Sequence, residues 1–277
     1  MFKRVLVPID SSKSSLRALK PAKAFADKTG AELVVATVLF TEAIDEEDRR
    51  QGLRQRTVDV GVEPDDVIVR LNSISVENGL HDLMDDATLV VLSSPGHSHT
   101  QRFLGNVSEE IVHHRPAGLS VIVGPEVDVD TYVLEGAVFG CVDPGGEGDR
   151  LLAAVERVSK ELALDPWLIS VGEEMPVPSK TGAPGLDHMP LETNQLRSLA
   201  HELQERDTAT VNYDVLHSDH PAKEIAAYAA RHGAALLAVS TRERSPLDRL
   251  LFGSVAIDIV KRASVPVLAV HRKGSGR

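Results

Sequence analysis

The sequence contains little cysteine, few aromatic residues and no long apolar run. Cys141 is the single cysteine, which excludes an intrachain disulfide and a zinc site built from several cysteines. Aromatic residues make up 4% of the chain, too few for the stacking platforms on which single-stranded nucleic acids bind. No window approaches the roughly 18 apolar residues of a membrane span. The apolar stretch at the N-terminus ends at Asp10 and is too short for a signal peptide.

Negative charge is in excess. Asp and Glu number 41 against 30 Lys and Arg, a formal net charge of −11, which argues against general nucleic-acid binding. The 42% hydrophobic and 26% charged residues are ordinary for a folded globular protein, and 277 residues suggest two domains. We therefore expect a soluble cytoplasmic protein that binds neither nucleic acid nor membrane.

An internal repeat organises the chain. Each half opens with a β-rich run that ends in aspartate, at Asp10 and at Asp143, and an amphipathic helical stretch follows. Aligning these two aspartates also aligns Val38 with Val171, without a gap. Later in each half, Leu104-Gly105-Asn106-Val107 matches Phe252-Gly253-Ser254-Val255. The chain thus reads as two homologous halves.

Apolar strands alternate with amphipathic helices in both halves, which indicates a parallel sheet covered on both faces. The predicted fold class is α/β, with two tandem doubly wound parallel five-stranded sheets. We expect domains at residues 1–125 and 135–277, joined by the acidic segment Pro125 to Glu135. The third strands are predicted at Asp66 to Leu71 and Thr210 to Leu216.

The last strand of each half is apolar and would lie at a sheet edge, where an unprotected strand pairs with another chain. The two strands concerned are Leu119 to Val123 and Val265 to Val270.

Three segments together resemble the universal stress protein family in tandem form. They are Val7-Pro8-Ile9-Asp10, Phe252-Gly253-Ser254-Val255 and Pro221-Ala222-Lys223-Glu224-Ile225. The resemblance covers nearly the whole chain, twice, and implies the adenine nucleotide alpha hydrolase-like fold and a stress-response binding or regulatory module. Some members of the family bind ATP, whereas others have lost the phosphate-binding glycines. In the family the last strands of two domains pair antiparallel, so the resemblance implies that Leu119 to Val123 pairs with Val265 to Val270 inside this chain, as an intramolecular pseudo-dimer. A homodimer of the whole chain stays open.

The first half departs from the phosphate-binding pattern of the family, G-x2-G-x9-G-S/T, in which glycines let backbone N–H groups approach phosphate. Ser93 replaces the first glycine, the spacer between Gly96 and Gly105 is one residue short, and Asn106 replaces the hydroxyl residue. Asn106 can still donate a hydrogen bond.

The second half has the correct spacing, from Ser240 to Gly253 and Ser254, but Glu243 replaces its second glycine. A carboxylate facing a triphosphate costs on the order of 1–4 kcal/mol at about 4 Å. Arg242 and Arg244 would offset this cost only if their side chains point inward. The first half therefore keeps more of the phosphate-binding pattern, which we call the phosphate cradle.

The resemblance implies nucleotide-binding positions in both halves, the aspartates matching the ribose position and the valines the adenine position. They are Pro8, Asp10, Ser11, Val38, Gly96, Gly105, Asn106 and Val107 in the first half, and Asp143, Val171, Gly253 and Ser254 in the second. ATP, with Mg²⁺ accompanying it, is the expected ligand. As alternatives, the aspartates are helix N-caps and Gly105 and Gly253 are turn residues kept for packing.

No base, nucleophile or metal cluster is assembled at the cradle, so we expect at most slow ATP hydrolysis rather than a rapid enzyme. Enzymes of the wider adenine nucleotide hydrolase group carry an SGG-type loop after the first strand. This chain has Asp10-Ser11-Ser12-Lys13 and Asp143-Pro144-Gly145-Gly146 there, which disfavours that class. A protein-interaction module with both nucleotide sites lost remains open.

Two other features could take part in metal binding or catalysis. The histidine pairs His97/His99 and His113/His114 could ligate Zn²⁺, but we expect them to lie apart and so favour no metal site. Cys141 lies within a strand run and is expected to be a buried, small apolar side chain.

Overall fold

The computed structural model describes residues 1–40, 45–71, 73–94, 111, 118–143, 149–172, 189–206, 210–241 and 253–271. None of the helices in these ranges is both long and apolar enough to cross a bilayer.

The first half forms a parallel sheet in the order β3-β2-β1-β4-β5. The strands are β1 (Arg4–Pro8), β2 (Glu32–Val38), β3 (Asp66–Arg70), β4 (Thr88–Ser93) and β5 (Leu119–Val123). The described helices are α1 (Leu19–Thr29), α2 (Glu46–Asp59) and α3 (Val76–Leu80), with 3-10 turns at Ser14–Ala18 and His81–Leu83. Every residue of β4 and of β5 is buried, as a sheet covered on both faces requires.

The second half repeats this topology in the order β8-β7-β6-β9-β10. Its strands are β6 (Ala137–Cys141), β7 (Asp165–Gly172), β8 (Asn212–His217), β9 (Ala234–Thr241) and β10 (Val267–His271). The described helices are α4 (Asp149–Leu162), α5 (Met189–Arg206), α6 (Pro221–Arg231) and α7 (Ser254–Arg262). The predicted class, two tandem five-stranded parallel sheets, is confirmed.

The two sheets join into one sheet of ten strands through an antiparallel pair. Ile122 of β5 lies opposite Val267 of β10, and Val121 lies opposite Leu268. This is the intramolecular antiparallel pairing that the family resemblance implied. Each strand thereby covers the other's unpaired backbone edge, which would otherwise attract a strand of another chain.

The segment between the halves is packed against both of them. Val127 and Leu134 are buried in the core, and the Tyr132 hydroxyl donates a hydrogen bond to the carbonyl oxygen of Ala235 in β9 (3.1 Å). Arg17 Nη2 donates to three carbonyl oxygens at the end of β5 and beyond, those of Gly124 (3.1 Å), Pro125 (3.1 Å) and Val127 (2.8 Å). The acidic segment Pro125 to Glu135 is therefore held in place against both halves, and we call it the strap.

Candidate functional site

The first strand of each half ends with the same backbone hydrogen bond to the neighbouring strand. The Ile9 amide donates to the carbonyl oxygen of Ala36 at 2.8 Å, and the Val142 amide donates to that of Ile169 at 2.8 Å. Asp10 and Asp143 follow directly and hold equivalent places at the carboxyl edge of the sheet. In open α/β sheets, ligands bind outside the carboxyl ends of the strands.

A cavity of about 320 Å³ opens at this edge in the second half. Asp143, Val171, Gly253 and Ser254, the four second-half positions singled out in the sequence, all line it. Residues of β6, β7 and β9 line it on the sheet side, and residues of α6 and α7 line it on the helix side. The structure therefore brings together residues that lie more than a hundred positions apart in the chain.

The N-terminus of α7 faces this cavity without a side-chain cap. Gly253 is the N-cap residue, and its carbonyl oxygen accepts the first helical bond, from the Ile257 amide (3.1 Å). The N–H groups of the first turn have no partner within the helix, as at every helix N-terminus. No acidic residue lies in the first turn. These donors, with the helix dipole, suit an anion.

Among the described residues, neither strain nor packing requires glycine at position 253. Its φ of −55° and ψ of 152° are open to any residue, and a Cβ added there meets no described atom within 4 Å. The alternative that Gly253 is kept for packing is therefore not supported by any contact in the part of the chain that the structure describes.

Two further residues of the cavity wall were not predicted as site residues. Ser170 is buried, and its Oγ has no hydrogen-bond partner among the described residues. Cys141 also lines the cavity and is only partly buried, where the sequence predicted a buried residue. Burial raises the pKa of its thiol to about 12, so the thiol is neutral near pH 7 and is not an activated nucleophile.

The cavity has the size and the lining of a small-molecule pocket. Its volume lies at the lower end of the roughly 300–1,000 Å³ of small-molecule pockets. Apolar side chains such as Ile169, Ile225 and Ile259 line it together with a few polar groups, the mixture typical of sites that bind and orient a small molecule. Asp143 can accept hydrogen bonds from hydroxyl groups.

In the first half, Asp10 orders the loop after β1. Its Oδ1 accepts hydrogen bonds from the Ser12 amide (2.9 Å) and the Ser12 hydroxyl (2.5 Å). Burial raises the pKa of this carboxyl, but hydrogen bonds from Ser12 and Ser15 and the charge of Arg56 outweigh it and hold the pKa below its ordinary value. The N-cap alternative is wrong for Asp10, because the first 3-10 turn begins at Ser14 with Lys13 as its N-cap.

Arg56 of α2 is a residue of this region that the sequence did not reveal. Its Nη1 donates to the carbonyl oxygen of Asp10 (3.1 Å) and its Nη2 to that of Ser12 (3.2 Å). No local sequence signal marks it, since α2 is a highly charged helix with several arginines. It places a positive charge beside the loop that follows β1.

The other first-half positions divide into two groups. Pro8 is buried at the end of β1, opposite Ala36, and Ser11 is exposed after Asp10. Val38 ends β2, and a Cβ added to Gly79 of α3 would come within 2.9 Å of its Cγ2. The remaining predicted residues lie outside the described part of the chain. These are Gly96, Gly105, Asn106, Val107, Glu243 and the four histidines His97, His99, His113 and His114.

The sequence matches the profile of the universal stress protein family over residues 1–122 and again over residues 140–271. No curated protein matches the chain. Among solved structures, a universal stress protein from Archaeoglobus fulgidus DSM 4304 aligns at 20% identity over 98% of this chain and 99% of its own, with a TM-score of 0.65. A functionally unknown protein from Pseudomonas aeruginosa PAO1 aligns at 14% identity over 98% of this chain and 92% of its own, with a TM-score of 0.58. At these identities the likeness shows the fold.

A universal stress protein from Archaeoglobus fulgidus solved in complex with dAMP also aligns, at 18% identity over 50% of this chain and 97% of its own, with a TM-score of 0.38.

Proposed function

Because the chain belongs to the universal stress protein family and carries its domain twice, we propose that it is a regulatory binding module whose ligand is an adenine nucleotide. One observation carries the proposal. Asp143, Val171, Gly253 and Ser254, which the family resemblance assigns to ribose, adenine and phosphate, line a single cavity in the second half.

Each group of the cavity has a role in this proposal. The Asp143 carboxylate accepts hydrogen bonds from ribose hydroxyl groups. The apolar wall that includes Ile169, Val171 and Ile225 surrounds the base. The N–H groups of the first turn of α7, next to Gly253, which have no partner within the helix, would hold phosphate.

We assign a second nucleotide position to the first half, around Asp10, Ser11 and Val38. ATP with its Mg²⁺ is the ligand expected there, with phosphate contacts from Gly96, Gly105, Asn106 and Val107. The bound metal ion would neutralise phosphate charge. The contacts of Arg56 with the Asp10 loop support this assignment, because they add positive charge next to it.

The cavity favours binding over catalysis. Among the described residues that line it, Asp143 and Cys141 are the titratable side chains, and the raised pKa of Cys141 keeps the thiol neutral. A single exposed carboxylate offers no acid–base pair for rapid hydrolysis. The protein would signal the presence of nucleotide by the difference between its nucleotide-bound and nucleotide-free states. Weak ATP hydrolysis would be a side activity.

Mass spectrometry of the purified chain, followed by calorimetric titration with AMP, ADP and ATP, tests the proposal. We expect co-purified or titratable adenine nucleotide, weakened by Gly105→Glu for the first half and by Gly253→Glu for the second. Gly253→Ala serves as a folding control, because its added Cβ meets no described atom. No binding at millimolar nucleotide would overturn the proposal and leave a protein-interaction module with both sites lost.

A further inference from the structure

The loop after β1 in the first half is held by a side chain from a distant helix. Arg56, in the last turn of α2, donates from Nη1 to the carbonyl oxygen of Asp10 (3.1 Å) and from Nη2 to that of Ser12 (3.2 Å). Because the guanidinium group is planar and rigid, the two bonds fix these carbonyls relative to each other. Asp10 and Ser11 are exposed, so water could satisfy the same oxygens. The contacts of Arg56 therefore matter chiefly for the order of the loop.

Ser12 links Arg56 to the Asp10 carboxylate. Its amide and its hydroxyl both donate to Asp10 Oδ1, at 2.9 Å and 2.5 Å. Ser12 is fixed from the other side by Ser15, which is buried. The Ser15 hydroxyl donates to the Ser12 carbonyl oxygen (2.9 Å), and the Ser15 amide donates to Ser12 Oγ (3.2 Å). Arg56 thus acts on the carboxylate through the backbone of Asp10 and through Ser12.

The state of this carboxylate determines which ligand group can bind to it. Burial raises the pKa of Asp10, but the hydrogen bonds of Ser12 and Ser15 and the charge of Arg56 outweigh it and hold the pKa below 3.8. The carboxylate is therefore ionised near pH 7 and only accepts hydrogen bonds. Both donors of Ser12 go to Oδ1, so Oδ2 keeps acceptor capacity for a ligand. Hydroxyl groups suit such an acceptor, whereas a phosphate would be repelled.

We infer that Arg56 is the positioning residue of the first-half site: it holds the Asp10 carboxylate in place to accept hydrogen bonds from the two hydroxyl groups of a ribose, so that this half selects ribonucleotides over their deoxy analogues. This deepens the proposed function and rests on it. A carboxylate that is already in place loses little conformational freedom when the ligand binds. A hydroxyl bonded to it forms a strong, charge-assisted hydrogen bond, which a deoxy analogue lacks.

Calorimetric titration with ATP, 2′-deoxy-ATP and 3′-deoxy-ATP measures this selectivity. The Gly253→Glu chain, in which the second half is weakened, isolates the first half. We expect ATP to bind at least about tenfold more tightly than either deoxy analogue, as the loss of a hydrogen bond to a charged group implies. Equal affinities, or no binding to this chain alone, would overturn the inference and leave the proposed function intact. Failure of the unaltered chain to bind any of the three would overturn both.

Substitution of Arg56 distinguishes positioning from a purely structural role. Arg56→Met keeps an unbranched side chain but removes both donors, and we expect it to remove most of the preference for ATP over the deoxy analogues. Arg56→Lys, which restores the charge and a donor, should recover part of the preference. A structural role alone would lower all three affinities by the same factor, and an unchanged preference in Arg56→Met would overturn the inference.

Arg54→Met is the matched control on the same helix. Arg54 donates to a carbonyl oxygen away from the Asp10 loop, that of Pro64 (3.2 Å), so this variant should keep the full preference. If Arg56→Met does not fold, Ser12→Ala tests the same link, because it removes the hydroxyl that donates to Asp10 and leaves Arg56 unaltered. We expect a smaller preference for ATP in Ser12→Ala, and an unchanged one would overturn the inference.

Discussion

A Cβ on Gly124 would lie 2.1 Å from the carbonyl oxygen of Val260. Gly124 directly follows β5 of the first half, and Val260 belongs to α7 of the second. The strand that joins the halves thus touches, backbone to backbone, the helix whose N-terminus faces the candidate site. No side chain can occupy this contact unless one of the two backbones moves.

We predict that Gly124→Ala destabilises the protein. Forcing an atom into such a contact costs typically about 1–3 kcal/mol, and the displaced α7 should also weaken nucleotide binding. Thermal or urea unfolding measures the first effect, and titration measures the second. Gly52→Ala is the matched control, because Gly52 is exposed within α2 and its added Cβ meets no described atom.

Gly52→Ala should leave binding unchanged and raise the free energy of unfolding by about 0.5–1 kcal/mol, since alanine favours a helix interior. Equal free energies of unfolding for Gly124→Ala and the unaltered chain would contradict the close contact between Gly124 and Val260.

A second prediction concerns Glu161 of α4, which fastens the N-terminal segment to the second half. Its Oε2 accepts a hydrogen bond from the Phe2 amide (2.6 Å) and its Oε1 one from Arg157 Nε (3.0 Å). Burial raises the pKa of this carboxyl, but hydrogen bonds from the N-terminal amine, Arg157 and Phe2 hold the pKa below its ordinary value of 4.5. The ionised form is therefore favoured in the folded state.

Glu161→Gln should lower the free energy of unfolding by about 1–3 kcal/mol near neutral pH. Because the folded pKa is depressed, this stabilisation is present above pH 4.5 and is lost as the pH falls through the folded value. Urea unfolding across pH 3 to 7, as a series of about five buffers, should show the two proteins converging at the acid end. A difference that is independent of pH would exclude the carboxylate as its source.

Glu156 provides the control on the same helix. It pairs with Lys160 at 2.9 Å in an i,i+4 arrangement, which contributes only about 0.3–0.5 kcal/mol. Glu156→Gln should change stability by no more than that at any of these pH values.

The third prediction concerns Arg17, which holds the strap between the halves through three carbonyl oxygens. Arg17→Met keeps the aliphatic stem but leaves those oxygens without their donor, which should cost about 1–3 kcal/mol. Limited proteolysis should then cut residues 125–135 faster. Lys20→Met removes an exposed ion pair with Asp130 and should have little effect. Cleavage at the same rate in both variants would count against the role of Arg17.

The sequence predicted most of the fold because the fold follows from periodic patterns. The gapless match of Asp10 and Val38 with Asp143 and Val171 corresponds to the same strand-end hydrogen bond in both halves. The apolar character of Leu119–Val123 predicted a strand at the sheet edge, and the family resemblance implied its antiparallel pairing with β10. The repeat and the apolar strands are local or repeated signals, which a single sequence displays.

Contacts between distant side chains and backbone were not predictable in this way. Arg56 reaches the Asp10 loop from 46 residues along the chain, and Tyr132 reaches Ala235 across 103. Neither residue stands out from its neighbours by type or spacing. The open wall of the cavity, with Ser170 and Cys141, likewise depends on how three strands and two helices meet.

The antiparallel junction of β5 and β10 also affects how the two sites can differ. In a symmetric homodimer of single domains, every substitution appears twice and both sites stay identical. Here the paired domains belong to one polypeptide, so each can change alone while the pair forms at a fixed one-to-one ratio, independent of protein concentration. One chain can thus couple a site suited to one ligand with a site suited to another, an asymmetry that no symmetric assembly of a single domain can achieve.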